Sequence, residues 1–560
     1  MSEQHSTDRT PSENVDVCIV GSGPAGALVA DSLAERDHDV VVLEAGKRYT
    51  PEDRLRRLEM YTRPDMERGA FWIDEDRDAY TSTGEVTAAL NQLRVKAVGG
   101  TLLWEGNTPR FHEKDFEMQS RYGLASDWPI SYDDLRPYYA RAEREMGISG
   151  DGGANPFGPP REEPFPMDAF PPSYSDSLFI EACDSLGITT HPNPVAINSE
   201  PHDGMAECNG FGACHTCPLD AKYTAEIHVD RAESKGARII DQASVLSLEH
   251  DDSGDVLEAA RYVTPDGSEH RQEADAFVVA CGGIETPRLL LLSASEQHPD
   301  GLANSSGAVG RYLMDHPGVR TNAVIDRSTN QDNIGFMTTR SDQFYDHEDP
   351  TPGSFYLTFE NREGGIGDPM QRNAALVQAI GALGNPTGPG GVRDVARDPF
   401  SALPLGDGMV DEGGRDGDVI AIRGAGELLP HADNRVTLDR SRTDTYGRPV
   451  PKIDLSNDEH ARATMERCLE VQEDIMDELG AEITDQSGID GRTMGTHHMG
   501  TTRLGTDPAE SVVNAQCRTH DLDNCWIASA SVFTTGGAMN PTLTIAALAL
   551  KTADHVHNRL

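Results

Sequence analysis

The stretch Val15-Asp-Val-Cys-Ile-Val-Gly-Ser-Gly-Pro-Ala-Gly26 decides the fold of this 560-residue chain. Its first half is a short apolar run rich in β-branched residues, which predicts a buried parallel strand. Its second half has the spacing Gly21-x-Gly23-x-x-Gly26. A helical stretch from Ala27 to Glu35 and a second strand-like run, Val40-Val-Val-Leu-Glu44, follow it. We therefore predict an α/β fold that begins with a right-handed β-α-β unit.

Each glycine of this loop has its own physical reason. Gly21 permits the tight turn, Gly23 lets a pyrophosphate approach the backbone, and Gly26 lets the helix pack close to the strand. A pyrophosphate at the helix N-terminus is favoured by free N–H groups and by the helix dipole. Glu44 ends the second strand, where a carboxylate accepts hydrogen bonds from ribose hydroxyls. The motif predicts a dinucleotide site, but it does not choose between FAD and NAD.

Charge and hydropathy restrict the class of protein. The chain has 93 acidic and 48 basic residues and a formal net charge of −45. This charge argues against nucleic acid or an anionic membrane as a partner, and it indicates an acidic, halophilic protein of a salt-rich cytoplasm, where ions screen its self-repulsion. No apolar run is long enough for a transmembrane segment, and the polar N-terminus does not resemble a secretory signal. We expect a cytoplasmic location.

Four further motifs follow one another along the chain. They are Gly99-Gly-Thr-Leu-Leu-Trp-Glu-Gly-Asn-Thr-Pro-Arg110, Gly282-Gly-Ile-Glu-Thr-Pro-Arg-Leu-Leu-Leu291, His497-His-Met-Gly-Thr501 and Asn540-Pro-Thr-Leu-Thr544. In the second motif, we expect a helix from Thr286 to Ser293 after the two glycines. In order and spacing the four motifs resemble the glucose–methanol–choline (GMC) oxidoreductases, which implies FAD as the cofactor. The resemblance implies a Rossmann-like FAD-binding domain over 15–320, with inserted segments, and a C-terminal return over 481–560. A substrate domain over 321–480 would be mainly antiparallel sheet, as its period-two stretches indicate.

The resemblance also implies how FAD is held. In the family, the loop that starts at Gly99-Gly100-Thr101 wraps the flavin pyrophosphate and ring. Asn107 would lie near the ring. Some relatives bond the flavin covalently to a histidine at the position of Leu103, so the FAD here would be non-covalent. Further cofactor contacts are expected at Val245, at Ser529, which replaces a common Asp, and at Thr542, which begins a helix whose dipole would stabilise reduced flavin.

Alcohol oxidation removes a proton from oxygen and a hydride from carbon. A neutral imidazole can accept the proton near pH 7, and a second polar group can hold the oxygen as charge develops. By resemblance, His497 is the base and Asn540 is its partner, while the adjacent His498 is the competing candidate. We predict an oxidoreductase that acts on the CH–OH group of an alcohol, polyol or sugar by hydride transfer to flavin N5.

The sequence leaves several alternatives open. A non-redox lyase of the same fold, similar to hydroxynitrile lyases, is the alternative function. A dehydrogenase is favoured over an oxidase, and the electron acceptor could be a quinone, a carrier protein or oxygen. The sequence does not identify the substrate.

Three cysteines lie close together in Cys208-Asn-Gly-Phe-Gly-Ala-Cys214-His-Thr-Cys217-Pro218. Three thiolates can hold a [3Fe–4S] cluster, and a proline after the last cysteine is typical of ferredoxin-type runs. The segment also resembles one in the flavin subunits of certain electron-transferring sugar dehydrogenases. Structural or redox-paired thiols are the alternative, and zinc would need a fourth ligand such as His215.

Overall fold

The computed structural model describes most of the chain. The described residues are 8–13, 15–48, 53, 76–86, 96, 98–210, 214, 217, 219–327, 329, 336–346, 351–360, 418–488 and 496–560. Within them, no helix combines the length and the apolar character that crossing a membrane requires.

The strands and helices of these residues are as follows. The strands are β1 (Val15–Val20), β2 (Val40–Leu43), β3 (Thr81–Thr83), β4 (His191–Pro192), β5 (Arg238–Ile240), β6 (Ser244–His250), β7 (Leu257–Val263), β8 (Glu269–Val279), β9 (Gly318–Ile325), β10 (Thr339–Ser341), β11 (Phe355–Glu360), β12 (Asp418–Gly426), β13 (Arg435–Thr443), β14 (Pro449–Asp454), β15 (Glu482–Ser487) and β16 (Cys525–Ile527). The α-helices are α1 (Pro24–Ala34), α2 (Glu113–Phe116), α3 (Met118–Tyr122), α4 (Tyr132–Met146), α5 (Tyr174–Ser185), α6 (Glu226–Ser234), α7 (Gly282–Leu292), α8 (Glu459–Leu479) and α9 (Thr542–Arg559).

The first sheet contains the predicted dinucleotide unit. Its order is β5-β2-β1-β8-β7-β6, and β16 also pairs with β8. The pairs among β5, β2, β1, β8 and β16 are parallel, whereas β7 and β6 continue from β8 as an antiparallel meander. α1 packs against α6 and α9. Because parallel strands share one carboxyl edge, the loops after β1, β2, β8 and β16 meet there.

The second sheet is antiparallel, with the order β15-β9-β12-β11-β10-β4. Its apolar side chains form a core with α8 and α5, in which Phe355, Leu357, Ile420 and Ile422 are buried. Side chains alternate between the two faces of a strand, so their neighbours along the chain lie on the face away from α8. A third, smaller sheet has the order β13-β14-β3.

The α/β fold with an antiparallel second sheet is confirmed, and two helix starts differ from expectation. α1 begins at Pro24 rather than Ala27, because proline is favourable in the first turn. α7 begins at Gly282 rather than Thr286 and includes Pro287. Proline cannot donate to the carbonyl four residues earlier. That carbonyl, on Gly283, accepts the Thr501 hydroxyl at 2.7 Å instead.

Candidate active site

The glycine loop after β1 crosses closely over the loop that starts at Gly99. Gly99 has φ +70°, and a Cβ there would lie 2.9 Å from the Cα of Gly23. A Cβ on Gly26 would lie 2.0 Å from the Gly21 carbonyl oxygen. Gly23 is the N-cap of α1 and has no side chain to cap it. The crossing therefore requires glycines and leaves the first N–H groups of α1 for an anion, which fits the pyrophosphate of FAD.

Glu44 is fixed beside this loop directly after β2. One carboxylate oxygen accepts hydrogen bonds from the N–H and the hydroxyl of Ser22, at 2.9 and 2.8 Å. The other accepts from the N–H of Gly46 at 2.7 Å. The oxygen that accepts from Gly46 has further acceptor capacity, and Glu44 is 8% exposed. Its position and chemistry fit a ribose of FAD.

The loop from Gly99 to Asn107 is tied to two other parts of the chain. The Thr101 hydroxyl accepts from the N–H of Ala225 at 3.0 Å, next to the start of α6. The amide of Asn193 donates to Asn107 Oδ1 at 2.6 Å. Gly100 accepts the N–H of Leu103 at 2.9 Å within the loop. These bonds hold the loop across the carboxyl edge of the first sheet.

The three remaining predicted cofactor residues lie on different elements. Ser529 follows β16 at the same carboxyl edge, and its hydroxyl accepts from the N–H of Ser531 at 3.2 Å. Thr542 is the first residue of α9. Val245 lies on β6, close in sequence to Ala243, whose N–H donates to the Glu44 carbonyl at 2.8 Å. These positions agree with a cofactor that extends along the edge, and the contacts themselves stay a prediction.

His497 and Asn540 lie together, as the sequence predicts. His497 Nε2 is 3.3 Å from Asn540 Nδ2, and each residue is 9% exposed. The hydroxyl of Tyr356 donates to Asn540 Oδ1, also at 3.3 Å. Because Oδ1 accepts from Tyr356, the Asn540 amide turns its N–H group toward His497.

A second histidine fixes which nitrogen of His497 carries its proton. His316 Nδ1 lies 2.9 Å from His497 Nδ1, and His316 Nε2 lies 3.3 Å from the carbonyl oxygen of Gly536. A carbonyl only accepts, so the proton of neutral His316 is on Nε2 and its Nδ1 is an acceptor. His497 must then donate from Nδ1. Its Nε2 therefore carries a lone pair that is directed toward the Asn540 amide, and an unprotonated Nε2 is what a base requires.

Asp315 holds the two histidine backbones together. One of its carboxylate oxygens accepts the N–H of His316 at 2.8 Å and the N–H of His497 at 3.1 Å. His498 Nε2 lies 4.0 Å from the other oxygen. The adjacent histidines therefore have different neighbours, and it is His497 that contacts Asn540. This arrangement favours His497 over His498 as the base.

Burial keeps both central histidines neutral. It lowers the pKa of His497 well below 6.5, and the electrostatic effect of the neighbouring His316, His498 and Arg423 side chains lowers it further. Burial also lowers the pKa of His316 to about 4. At neutral pH, the His497 imidazole is therefore unprotonated, and this form is lost only when the pH falls through its lowered pKa.

The sequence did not indicate three residues that orient this pair. Asp315 and His316 precede Pro317 and β9, and the only signal in the sequence is an ionisable pair before a proline. Tyr356 lies within a strand whose neighbours are apolar, and it resembles an ordinary sheet residue. Their function depends on contacts across 181 to 184 positions of the chain.

Comparisons with known proteins identify the family. Models of the GMC oxidoreductase family match residues 93–318 and 430–549, and a model of NAD(P)-binding Rossmann-like domains matches residues 19–50. The chain is 32% identical to the fructose dehydrogenase large subunit of Gluconobacter japonicus, with 98% of each chain covered. The chain belongs to the GMC oxidoreductase family.

Other GMC oxidoreductases agree with this assignment. The chain is 32% identical to 2-methyl-1,2-propanediol dehydrogenase of Mycolicibacterium austroafricanum, over 98% of this chain and 96% of that protein. Its structure matches pyridoxine 4-oxidase from Mesorbium loti with a TM-score of 0.64 at 18% identity, covering 97% and 99% of the two chains, which shows a shared fold. The predicted GMC family, Rossmann-like FAD-binding fold and CH–OH oxidoreductase class are confirmed. The named relatives are dehydrogenases and oxidases, and nothing favours the lyase alternative.

The three clustered cysteines form no disulfide. Burial raises the pKa of Cys214 to about 12 and also raises that of Cys208. Where the structure describes the chain, one group of possible ligands brings three donor atoms within 4.8 Å of one another, and it contains none of these cysteines. The comparisons do not support a [3Fe–4S] cluster at Cys208, Cys214 and Cys217, and His215 lies outside the described residues.

Proposed function

We propose that His497 is the base and Asn540 the oxygen-binding partner in the oxidation of a polyol or sugar hydroxyl. The observation that carries this proposal is the 3.3 Å contact between His497 Nε2 and Asn540 Nδ2, in which the imidazole lone pair accepts from the amide and a substrate hydroxyl could take the place of that donor. Small sugars and diols are the substrates named for the two relatives at 32% identity.

His497 and Asn540 have different roles at the substrate oxygen. The substrate hydroxyl donates its proton to His497 Nε2, while Asn540 donates a hydrogen bond to the oxygen and stabilises its developing negative charge. The C–H bond breaks with its electron pair, and a carbonyl forms. Bound FAD supplies the two-electron acceptor for the hydride, at N5. The proton on His497 is then released to solvent.

We also propose that FAD is non-covalent and that the enzyme is a dehydrogenase. Leu103 offers no nucleophile at the position where some relatives bond the flavin. Acid precipitation should therefore release all yellow colour into the supernatant. The proposed domain division is 15–320, 321–480 and 481–560, and the pairing of β16 with β8 supports the last part as a return to the FAD domain.

Anaerobic reduction of the flavin tests the activity directly. Purified yellow enzyme would be mixed with D-fructose, D-sorbitol, 2-methyl-1,2-propanediol and 1-propanol, and bleaching of the flavin absorbance would be followed. We expect at least one polyol or sugar to bleach it, with faster re-oxidation by a quinone than by air. A flavin that no alcohol, polyol or sugar reduces would contradict the proposed function, because the oxidation cannot proceed without flavin reduction.

The [3Fe–4S] cluster at Cys208, Cys214 and Cys217 is a separate proposal. The three cysteines lie within ten residues of one another in the sequence and form no disulfide, which supports it. A cluster would replace the protons that burial otherwise keeps on the sulfurs of Cys208 and Cys214. Iron and sulfide analysis of freshly purified protein tests it. A protein without iron would leave the alternative of structural thiols.

The acidic composition supports a further proposal about the cellular environment. We propose a salt-rich cytoplasm, since a formal charge of −45 repels itself strongly in dilute buffer and much less in concentrated salt. Activity and folding at molar KCl would support this proposal.

A further inference from the structure

The second sheet has a charged face on the side away from α8. On β11, Phe355, Leu357 and Phe359 belong to the core with α8. Tyr356 and Glu360 therefore lie on the opposite face, because side chains alternate along a strand. Tyr356 donates to Asn540 on that side. The face that bears Glu360 is thus the face that looks toward the catalytic pair.

The neighbouring strands add two arginines to this face. Arg423 on β12 lies opposite Thr358 of β11, and Arg320 on β9 lies opposite Arg423. One carboxylate oxygen of Glu360 is 3.1 Å from Arg423 Nε, and the other is 3.1 Å from Arg320 Nη2. The Glu360 carboxylate therefore bridges two guanidinium groups, and the three residues come from three adjacent strands.

This group lies next to the residue that contacts Asn540. Arg423 pairs with Thr358, which is two positions from Tyr356 on the same face of β11, and the Tyr356 hydroxyl donates to Asn540. The charge of Arg423 also contributes to the lowered pKa of His497. The Arg423 side chain remains 30% exposed, whereas that of Glu360 is 3% exposed. The buried carboxylate therefore holds a guanidinium that is partly exposed on the face of the sheet that bears Tyr356.

A buried charged group of this kind contributes little net stability to a sheet. A buried ion pair loses hydration, and an apolar replacement is often as stable. Binding of a substrate with several hydroxyls would explain why the charged group is present, because a hydroxyl can both accept from guanidinium and donate to carboxylate. The two arginines and one glutamate carry a net charge of about +1, so the single carboxylate partly offsets their attraction for an anion.

We propose that Arg423, positioned by Glu360, binds hydroxyl groups of a polyol or sugar at carbons beyond the one that is oxidised. The inference rests on the proposed function, since it assigns the substrate contacts of the same active site. Arg423 is then a specificity-determining residue and Glu360 a positioning residue.

The test compares substrates that differ in their additional hydroxyls. Arg423→Met and Glu360→Gln would be measured by anaerobic flavin reduction with D-sorbitol, D-fructose and 1-propanol. For whichever of the first two reduces the wild-type flavin, we expect the half-saturating concentration to rise about tenfold or more, because hydrogen bonds to a charged group are lost. The limiting rate should change little. The half-saturating concentration of 1-propanol should stay within about twofold, since it has no second hydroxyl to lose a contact.

Controls separate recognition from folding. Arg467→Met makes the same replacement on α8, where Arg467 pairs with Glu470 at an exposed position, and it should leave all three substrates unchanged. Arg423→Lys keeps a donor and should recover part of the affinity. Flavin content and the thermal midpoint would verify that each variant is folded.

Two results would overturn the inference while leaving the proposed function intact. One is an equal loss of affinity for 1-propanol and for the polyol or sugar in Arg423→Met. The other is a wild-type preference for gluconate over D-sorbitol, which would identify an anion site instead. If none of the probes reduces the wild-type flavin, the proposed function itself fails.

Discussion

Replacement of His316 should reduce the rate of flavin reduction without weakening substrate binding. His316→Leu keeps a side chain of moderate size but removes the acceptor that His497 Nδ1–H uses at 2.9 Å. The buried donor is then unsatisfied, and the alternative tautomer, with the proton on Nε2, becomes more populated. That tautomer cannot accept the substrate proton.

The size of the effect follows from the cost of an unsatisfied buried donor. That cost is about 1–3 kcal/mol. Each 1.4 kcal/mol changes a population or rate about tenfold, so the limiting rate should fall about 5- to 150-fold. The half-saturating substrate concentration should change by less than about threefold, because the substrate does not contact His316 in the proposed mechanism.

An asparagine variant distinguishes the tautomer from simple disruption of packing. The oxygen of an asparagine is attached to Cγ, as Nδ1 is in histidine, so His316→Asn can restore the acceptor. Stopped-flow measurement of anaerobic flavin reduction should show His316→Asn much closer to wild type than His316→Leu. Equal rates in wild type and His316→Leu, or equal losses in the two variants, would refute the tautomer argument.

Three other predictions follow from the structure. Gly99→Ala should purify with less than half the wild-type flavin per protein, because its Cβ would lie 2.9 Å from Gly23 Cα and Gly99 has φ +70°. A full flavin content, measured by absorbance, would contradict the close crossing of the two loops. The limiting rate of flavin reduction should stay constant as the pH falls through 6.5 and decrease only in more acidic solution, since the His497 pKa is lowered. Stopped-flow rates that halve near pH 6.5 would contradict this, because they would indicate a histidine whose pKa is not lowered. The thermal midpoint should rise as KCl increases from about 0.1 to 2 M, because the Debye length shrinks from about 10 Å to below 3 Å. No change in calorimetry would mean that the charge of −45 does not limit stability.

The first sheet could be predicted because its signals are local. The apolar run, the glycine spacing and the acidic residue of Val15–Glu44 each have a separate physical reason, and all three point to one supersecondary unit. The start of α7 could not be found this way. Its extension before Pro287 depends on Thr501, which supplies the hydrogen bond that the proline cannot.

The contact between His497 and Asn540 could be predicted by resemblance, but the orientation of the two side chains could not. His497 and Asn540 belong to recognisable motifs, whereas His316 and Tyr356 orient them through contacts between distant parts of the chain. The charged face of the second sheet could not be predicted from the sequence for the same reason. Which face of β11 meets the catalytic pair is set by how α8 packs, and strand alternation alone does not reveal it.

Anaerobic flavin reduction by His497→Ala is the most direct test of the account. The variant should bind FAD as wild type does, because His497 is assigned to the substrate oxygen and not to holding the cofactor. With a substrate that bleaches the wild-type flavin, its limiting rate should be about 10²- to 10⁴-fold lower, as expected when a general base is removed. A flavin-loaded variant that bleaches at the wild-type rate would show that another group accepts the proton.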